Sequence, residues 1–293
     1  KIEAAITPRT KVIMPVDISG FPCDYDKIMN CVKKHSSIFK PSNEKQKKLG
    51  RILIAADSAH SFGAEYKNKR SGSFTDVSCF SFHAVKNLTT AEGGAVCFNL
   101  PDTFDHEEIY SEFVTITLHG QSKDALAKSK KGAWKYDVVA PGYKCNMTDI
   151  QAAMGLVELD RYAENLVRRR EIFHAYDSAF SKIDWALLPT HKTSDKLSSH
   201  HLYLLRIKDI TEVQRDAIIQ EIFDLGVSVN VHFQPLPLLT AYKNLGYEIN
   251  NFPIAYQKYR TEITLPVYYN LNDTQVTEVI NAVVSSVGNI LNQ

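Results

Sequence analysis

The sequence lacks most of the features that would tie it to a membrane, a nucleic acid or a metal. No apolar run approaches the ~20 residues that a helix needs to cross a bilayer. No stretch near Lys1 has the pattern of a secretory signal. Lys and Arg number 34 against 33 Asp and Glu, a formal net charge of +1, so no global field calls for nucleic acid or an anionic surface. The local basic runs, at 45–51 and 123–135, read as solvated loops. The five cysteines (Cys23, Cys31, Cys79, Cys97, Cys145) are odd in number and have no C-x-x-C spacing. That excludes a disulfide framework and fits reduced thiols in the cytoplasm. The ten histidines are scattered, and even the pair His200–His201 lacks further ligands at metal spacing, so no metal site is expected. There is no internal repeat and no low-complexity tract.

At 293 residues the chain can bury a large core and suits one large α/β domain with a smaller one. Residues 12–16 read as a short buried strand and 25–39 as the helix after it. Residues 40–50 read as a polar, lysine-rich loop. Further strands are expected at 51–56, 77–82 and 95–98. Strands alternating with helical patterns predict a largely parallel sheet, with ligands at the C-terminal ends of its strands. Thr148-x-x-Gln151 has the form of a capping box, opening a helix that is expected to run past Arg170 with Ile150, Ala153, Met154 and Val157 on one face. The C-terminal part mixes strands at 202–207, 227–231 and 263–267 with amphipathic helices near 212–225 and 273–290.

Two of the strand ends deliver chemistry. The run R-I-L-I-A-A-D closes on Asp57, and S-F-H-A-V-K-N-L-T-T-A-E-G-G, residues 81–94, places Lys86 just beyond a strand. Taken singly, Asp57 could cap its turn and Lys86 could be a solvated loop lysine. Taken together they are the pair that pyridoxal phosphate chemistry requires. A lysine amine forms a Schiff base with the cofactor aldehyde, and an aspartate keeps the pyridine nitrogen protonated so that the ring accepts electrons.

Residues 81–94, with A-A-D-S-A-H-S-F-G-A at 55–64 and A-P-G-Y-K-C-N-M-T-D-I-Q-A-A-M-G at 140–155, resemble the nucleotide-sugar aminotransferases of the DegT/DnrJ family. The likeness runs from I-E-A-A-I-T-P-R-T-K-V-I at 2–13 to I-T-L-P-V at 263–267. It implies an α/β fold of the pyridoxal phosphate-dependent transferase type. A large cofactor-binding domain, residues 1–165, would hold a mostly parallel, seven-stranded-type sheet between helices. A smaller α+β domain, residues 166–293, would follow it. The first residues already match a point well inside the family pattern. The family's N-terminal segment, with its small Gly-Thr or Gly-Ser phosphate turn and its stacking aromatic, is therefore expected to be missing from this chain.

The resemblance assigns roles by position. Lys86 is the expected Schiff-base lysine and proton shuttle, and a histidine there in some relatives goes with dehydration instead. Asp57 would pair with the pyridinium nitrogen. His60 matches the position that hydrogen-bonds the cofactor's phenolic oxygen, with a purely structural histidine as the alternative. Ser81 matches a phosphate-binding serine, or it bonds its own strand. His83 would face the substrate or the ring edge. Asn146 corresponds to a segment reaching a neighbouring subunit's phosphate site, although it could instead cap the following helix. Many relatives read G-Y-N-Y-R-M there, and the G-Y-K-x-N form seen here is shared by a subgroup acting on 4-keto sugars. His232, in V-N-V-H-F-Q-P, matches a segment near the sugar pocket, or is structural. Trp134 and Tyr136 could stack on a uracil or thymine base.

The expected function is transfer of an amino group from an amino acid, L-glutamate by resemblance, to a nucleotide-linked keto-sugar, with a UDP-linked 4-keto sugar favoured. Pyridoxal 5'-phosphate is the expected cofactor and a cytoplasmic homodimer with shared sites the expected assembly. The alternatives are a sugar dehydratase on the same cofactor and a non-catalytic relative that binds cofactor or nucleotide-sugar without turnover.

Overall fold

The computed structural model describes residues 1–122 and 135–292. They divide into two compact units, one of Lys1–Asp17, Cys23–Phe62 and Lys69–Asp160, the other of Ile18–Pro22, Gly63–Asn68 and Arg161–Gln293.

The first unit is built on a four-stranded sheet of β1 (Val12–Ile13), β2 (Leu53–Asp57), β3 (Val77–Ser81) and β4 (Gly94–Phe98), in that order. β1 and β2 are parallel, as are β2 and β3, whereas β4 returns antiparallel on β3. The even-numbered residues Ile54, Ala56, Ser78 and Phe80 are buried, and the odd-numbered ones are more open. This period-two alternation sets Asp57 on the less covered face. Its register partner is Cys79, and Cys79 in turn pairs with Val96, so the three form one row across that face. Asp76, just before β3, accepts both Arg51 guanidinium nitrogens at 2.7 Å and the Ile54 N–H at 2.9 Å. That fork ties the starts of the two central parallel strands together.

Helices α1 (Tyr25–Lys34), α2 (His106–Thr117) and α3 (Asp149–Asp160) belong to this unit. Helix α1 buries Tyr25, Ile28 and Val32 and ends earlier than the expected 39. A 3-10 turn at Ser36–Ile38 follows, and Pro41 disfavours helical backbone at the residue before it. Residues 40–50, expected as a loop, contain the helix Glu44–Leu49. Asn43 caps it by accepting the Gln46 N–H at 2.8 Å, and Gly50 ends it at φ +70°. Both caps are ordinary helix punctuation.

The single helix expected from 148 past Arg170 is two helices. Helix α3 stops at Asp160 and α4 (Tyr162–Phe180) begins after Arg161, whose φ of −96° and ψ of 2° leave the helical region. No proline or glycine marks this break. The capping box is present: Thr148 Oγ1 accepts the Gln151 N–H at 3.3 Å, and Gln151 Oε1 accepts the Thr148 N–H at 2.9 Å.

In the second unit β5 (Ala186–Leu187), β6 (Tyr203–Ile207) and β7 (Glu262–Leu265) form an antiparallel sheet in the order β7, β6, β5. It packs with α4, α5 (Glu212–Asp224) and α6 (Asp273–Leu291) around one apolar core that includes Phe173, Tyr176, Leu205, Ile218 and Val283. Both α5 and α6 open with capping boxes, Thr211 with Gln214 and Asn272 with Gln275. The strand expected at 227–231 is reduced to a single bridge between Asn230 and Thr264. No helix among the described residues is long and apolar enough to cross a membrane.

Candidate functional site

Asp57 is the last residue of β2, and its backbone is fixed on both sides: its N–H donates to Pro15 at 2.9 Å and its carbonyl accepts from Asp17 at 3.0 Å. One carboxylate oxygen, Oδ1, accepts the Ala59 N–H at 3.1 Å. Among the described residues the other oxygen has no hydrogen-bond partner, so it is available to a donor on the open face of the sheet.

Lys86 sits in the turn that leaves β3. Its N–H donates to the His83 carbonyl at 2.9 Å, and the loop is closed behind it by Phe82 N–H to Gly93 O at 2.8 Å and Thr90 N–H to Phe82 O at 2.9 Å. The glycines of E-G-G are required by close approach. A Cβ on Gly93 would lie 2.2 Å from Thr90 Oγ1, and one on Gly94 would lie 2.6 Å from the Phe80 carbonyl oxygen. Burial pulls the Lys86 ammonium below the ordinary lysine range, and the Asp57 carboxylate works against that fall. The two side chains therefore share one electrostatic environment. Among the described residues the Lys86 amine makes no hydrogen bond.

The neighbouring candidates are arranged as follows. Ser81 ends β3 opposite Gly94, and its Oγ accepts the His83 N–H at 3.3 Å. His83 is about half exposed, with Nε2 3.7 Å from Glu92 Oε1. His60 lies half-buried in the turn after Asp57. Asn146 is exposed and bonds locally, to the Met147 carbonyl at 3.4 Å and to the Lys144 ammonium. It is not the cap of α3, a role Thr148 holds. Trp134 lies outside the described residues. Tyr136 is 48 % exposed.

His232 belongs to the second unit, where β7 holds it. Its N–H donates to Glu262 Oε2 at 2.8 Å, its Nδ1 lies 2.8 Å from Thr264 Oγ1, and that hydroxyl donates to Glu262 Oε1 at 2.5 Å. Burial pushes the Glu262 carboxyl up to about 7, against the hydrogen bonds from Thr264 and His232.

One residue of this region escaped the sequence reading. Asp17, fully buried, accepts the Tyr25 hydroxyl at 2.7 Å, the Cys23 N–H at 2.9 Å and the Ser61 hydroxyl at 2.9 Å. It thereby holds the turn that follows Asp57. Burial raises its carboxyl above the usual range. The signal was present: V-D at 16–17 ends an apolar run as A-D does at 56–57.

A half-buried carboxylate with an uncommitted oxygen and a half-buried amine, carried on adjacent strand ends, match the donor and acceptor needs of pyridoxal phosphate. Ser81 Oγ adds a hydroxyl at the end of the same strand.

Known proteins resemble this chain in sequence and fold. The DegT/DnrJ/EryC1/StrS aminotransferase family matches residues 1–284. The Spore coat polysaccharide biosynthesis protein SpsC of Bacillus subtilis is 36 % identical over 290 residues, which are 97 % of this chain and 68 % of that protein. The Spr1654 protein of Streptococcus pneumoniae, described as a candidate sugar aminotransferase and solved in its PMP form, superposes with a TM-score of 0.94 at 48 % identity, covering 99 % of this chain and 72 % of that one. PseC of Helicobacter pylori, an aminotransferase involved in the biosynthesis of pseudoaminic acid, superposes at 0.80 and 29 % identity over 98 % of this chain and 70 % of its own. The chain belongs to the DegT/DnrJ/EryC1/StrS aminotransferase family and has the fold of its sugar aminotransferases.

Proposed function

We propose that this protein transfers an amino group from L-glutamate to a nucleotide-linked keto-sugar, with a UDP-linked 4-keto sugar as acceptor. The observation that carries the reading is the Asp57–Lys86 pair: a carboxylate oxygen and an amine, both uncommitted and half-buried, the amine within the carboxylate's electrostatic influence. Pyridoxal 5'-phosphate is the cofactor; Spr1654, 46 % identical, is solved in its PLP form.

Bound there, the cofactor supplies an aldehyde for amines and a pyridinium ring that takes up electrons. Asp57 would hold the proton on the ring nitrogen through its free oxygen, Ser81 Oγ would donate to the phosphate, and His60 would bond the phenolic oxygen. Lys86 would hold the aldehyde through Nζ and, when freed, would take up and give back a proton there. Its lowered proton affinity eases the release and return of that proton. His83 and His232 are assigned to substrate recognition. In this reading residues 1–165 form the cofactor-binding domain and residues 166–293 the smaller one.

A homodimer is part of the proposal, with Asn146 reaching a neighbouring phosphate site. Helix α3 supports it: Ile150, Met154 and Val157, which share one face, are 76 %, 40 % and 62 % exposed, an apolar stripe that a second subunit would cover. The five free cysteines suit a reducing compartment and hence the cytoplasm.

The test is incubation of the protein with cofactor, 15N-labelled L-glutamate and a UDP-4-keto-hexose, followed by mass spectrometry of the sugar. The label should appear on the sugar and 2-oxoglutarate should form in equal amount. Release of water from the sugar with glutamate untouched would contradict amino transfer.

A further inference from the structure

Away from these residues, the second unit contains a cavity of about 220 Å³ that the proposed reaction does not use. Arg170 and His174, one turn apart on α4, line it together with His191, Lys192 and His200. The His191 ring lies 5.3 Å from that of His200 and 6.3 Å from that of His174.

The polar groups of this cavity are not satisfied from within. His200 is 1 % exposed, yet its Nε2 has no hydrogen-bond partner, and neither has the buried Nδ1 of His191. The other His191 nitrogen, Nε2, lies 2.5 Å from Asp177 Oδ2, while Asp177 Oδ1 accepts the Tyr203 hydroxyl at 2.8 Å. A carboxylate only accepts, so the hydrogen sits on His191 Nε2, and a protonated His191 would offer a second N–H from Nδ1 into the cavity. Among the described residues neither the Arg170 guanidinium nor the Lys192 ammonium makes a hydrogen bond or ion pair.

The field inside is positive. The His200 imidazole is pulled down to about 3 by burial first and then by His191, Arg170, His174 and Arg169. Glu65 and Asp195 also line the cavity, and Asp195 accepts the Thr193 hydroxyl at 2.9 Å. The charged groups that act most on His200 are His191, Arg170, His174 and Arg169, with no carboxylate among them. The His200 backbone is held at φ +55°, a left-handed conformation that costs a non-glycine residue energy and collects at functional sites. Its N–H donates to Ser198 Oγ at 3.0 Å, and its carbonyl accepts from buried Arg169 at 3.4 Å. Three imidazoles usually suggest a metal, but no group of three or more His, Cys, Asp or Glu among the described residues could hold one.

We propose that this cavity binds a small oxyanion of the charge and size of phosphate, held by Arg170 and Lys192, by the His200 imidazole N–H and, in its imidazolium form, by His191 Nδ1–H. The volume falls below the range of about 300–1,000 Å³ typical of drug-sized ligands, so the occupant is a free phosphate or the phosphate end of a metabolite. Unpaired guanidinium, ammonium and imidazole donors converging on a recess are what an oxyanion requires.

The experiment uses the full chain saturated with pyridoxal phosphate, so that the cofactor's own phosphate site is filled. Inorganic phosphate and glycerol phosphate are titrated separately, with sodium chloride at matched ionic strength as control. Histidine side-chain NMR and calorimetry are the readouts. Saturable binding should shift the His191 and His200 resonances. Arg170→Ala with Lys192→Ala, both exposed positions, should weaken it about tenfold or more, the equivalent of losing one charge-assisted hydrogen bond. Binding of inorganic phosphate alone identifies a free anion site, and equal binding of glycerol phosphate identifies an end-group site. No saturable shift, the same shift with chloride, or unchanged affinity in the double variant would overturn the proposal.

Discussion

The Asp57 carboxylate raises the proton affinity that burial lowers in the Lys86 amine. Parallel β2 and β3 end side by side, so two residues 29 positions apart in sequence emerge together.

Asp57→Asn removes the negative charge and keeps the shape. The asparagine oxygen can still accept the Ala59 N–H, so the turn should survive. What goes is the charge that would hold a ring proton, a loss on the order of 10²-fold or more in turnover by analogy with other preorganised electrostatic groups. Steady-state kinetics beside a thermal melt would separate the two effects. A variant with unchanged turnover would remove Asp57 from the site.

Asp76→Ala should unfold the first unit more easily. It strips partners from both Arg51 guanidinium nitrogens and from the Ile54 N–H, and Asp76 is only 4 % exposed. Breaking such a pair from one side costs about 3–5 kcal/mol. Urea denaturation should show the midpoint falling without a change in slope.

Glu262 gives a pH dependence with a definite sign. Its folded carboxyl is displaced from 4.5 to about 7, so the folded state binds the proton more tightly than the unfolded chain. Stability is therefore highest below 4.5 and declines as pH rises towards 7, by on the order of 3 kcal/mol. His200 works oppositely, losing stability as pH falls from 6.5 towards about 3. Comparing Glu262→Gln with the parent at each pH cancels His200. The variant should gain on the parent between pH 5 and pH 8, and a constant difference would contradict the assignment.

The exposed face of α3 predicts association. Val157→Glu with Ile150→Glu should halve the mass seen by sedimentation, and an unaltered mass would argue against α3 as the interface.

The sheet was legible because apolar runs closed by turn residues mark β2, β3 and β4 directly in the sequence. The helix Glu44–Leu49 was equally marked, by Asn43 and Gly50, but its lysine content read as loop. The break at Arg161 had no such mark, because the backbone leaves the helix there without proline or glycine. The placement of Asp57 at a strand end and of Lys86 just beyond another could be read because apolar runs stop there, and strand ends are positions where chemistry collects. The Glu262–Thr264–His232 cluster and the three-histidine cavity could not, since each depends on side chains brought together by tertiary packing from separate segments.

The most direct test is the visible absorption spectrum of the protein with pyridoxal phosphate, before and after L-glutamate, beside Lys86→Ala. The parent should show a band that glutamate bleaches, and the variant should lack it. A band that survives in Lys86→Ala, or one that glutamate leaves unchanged in the parent, would contradict the assignment of Lys86.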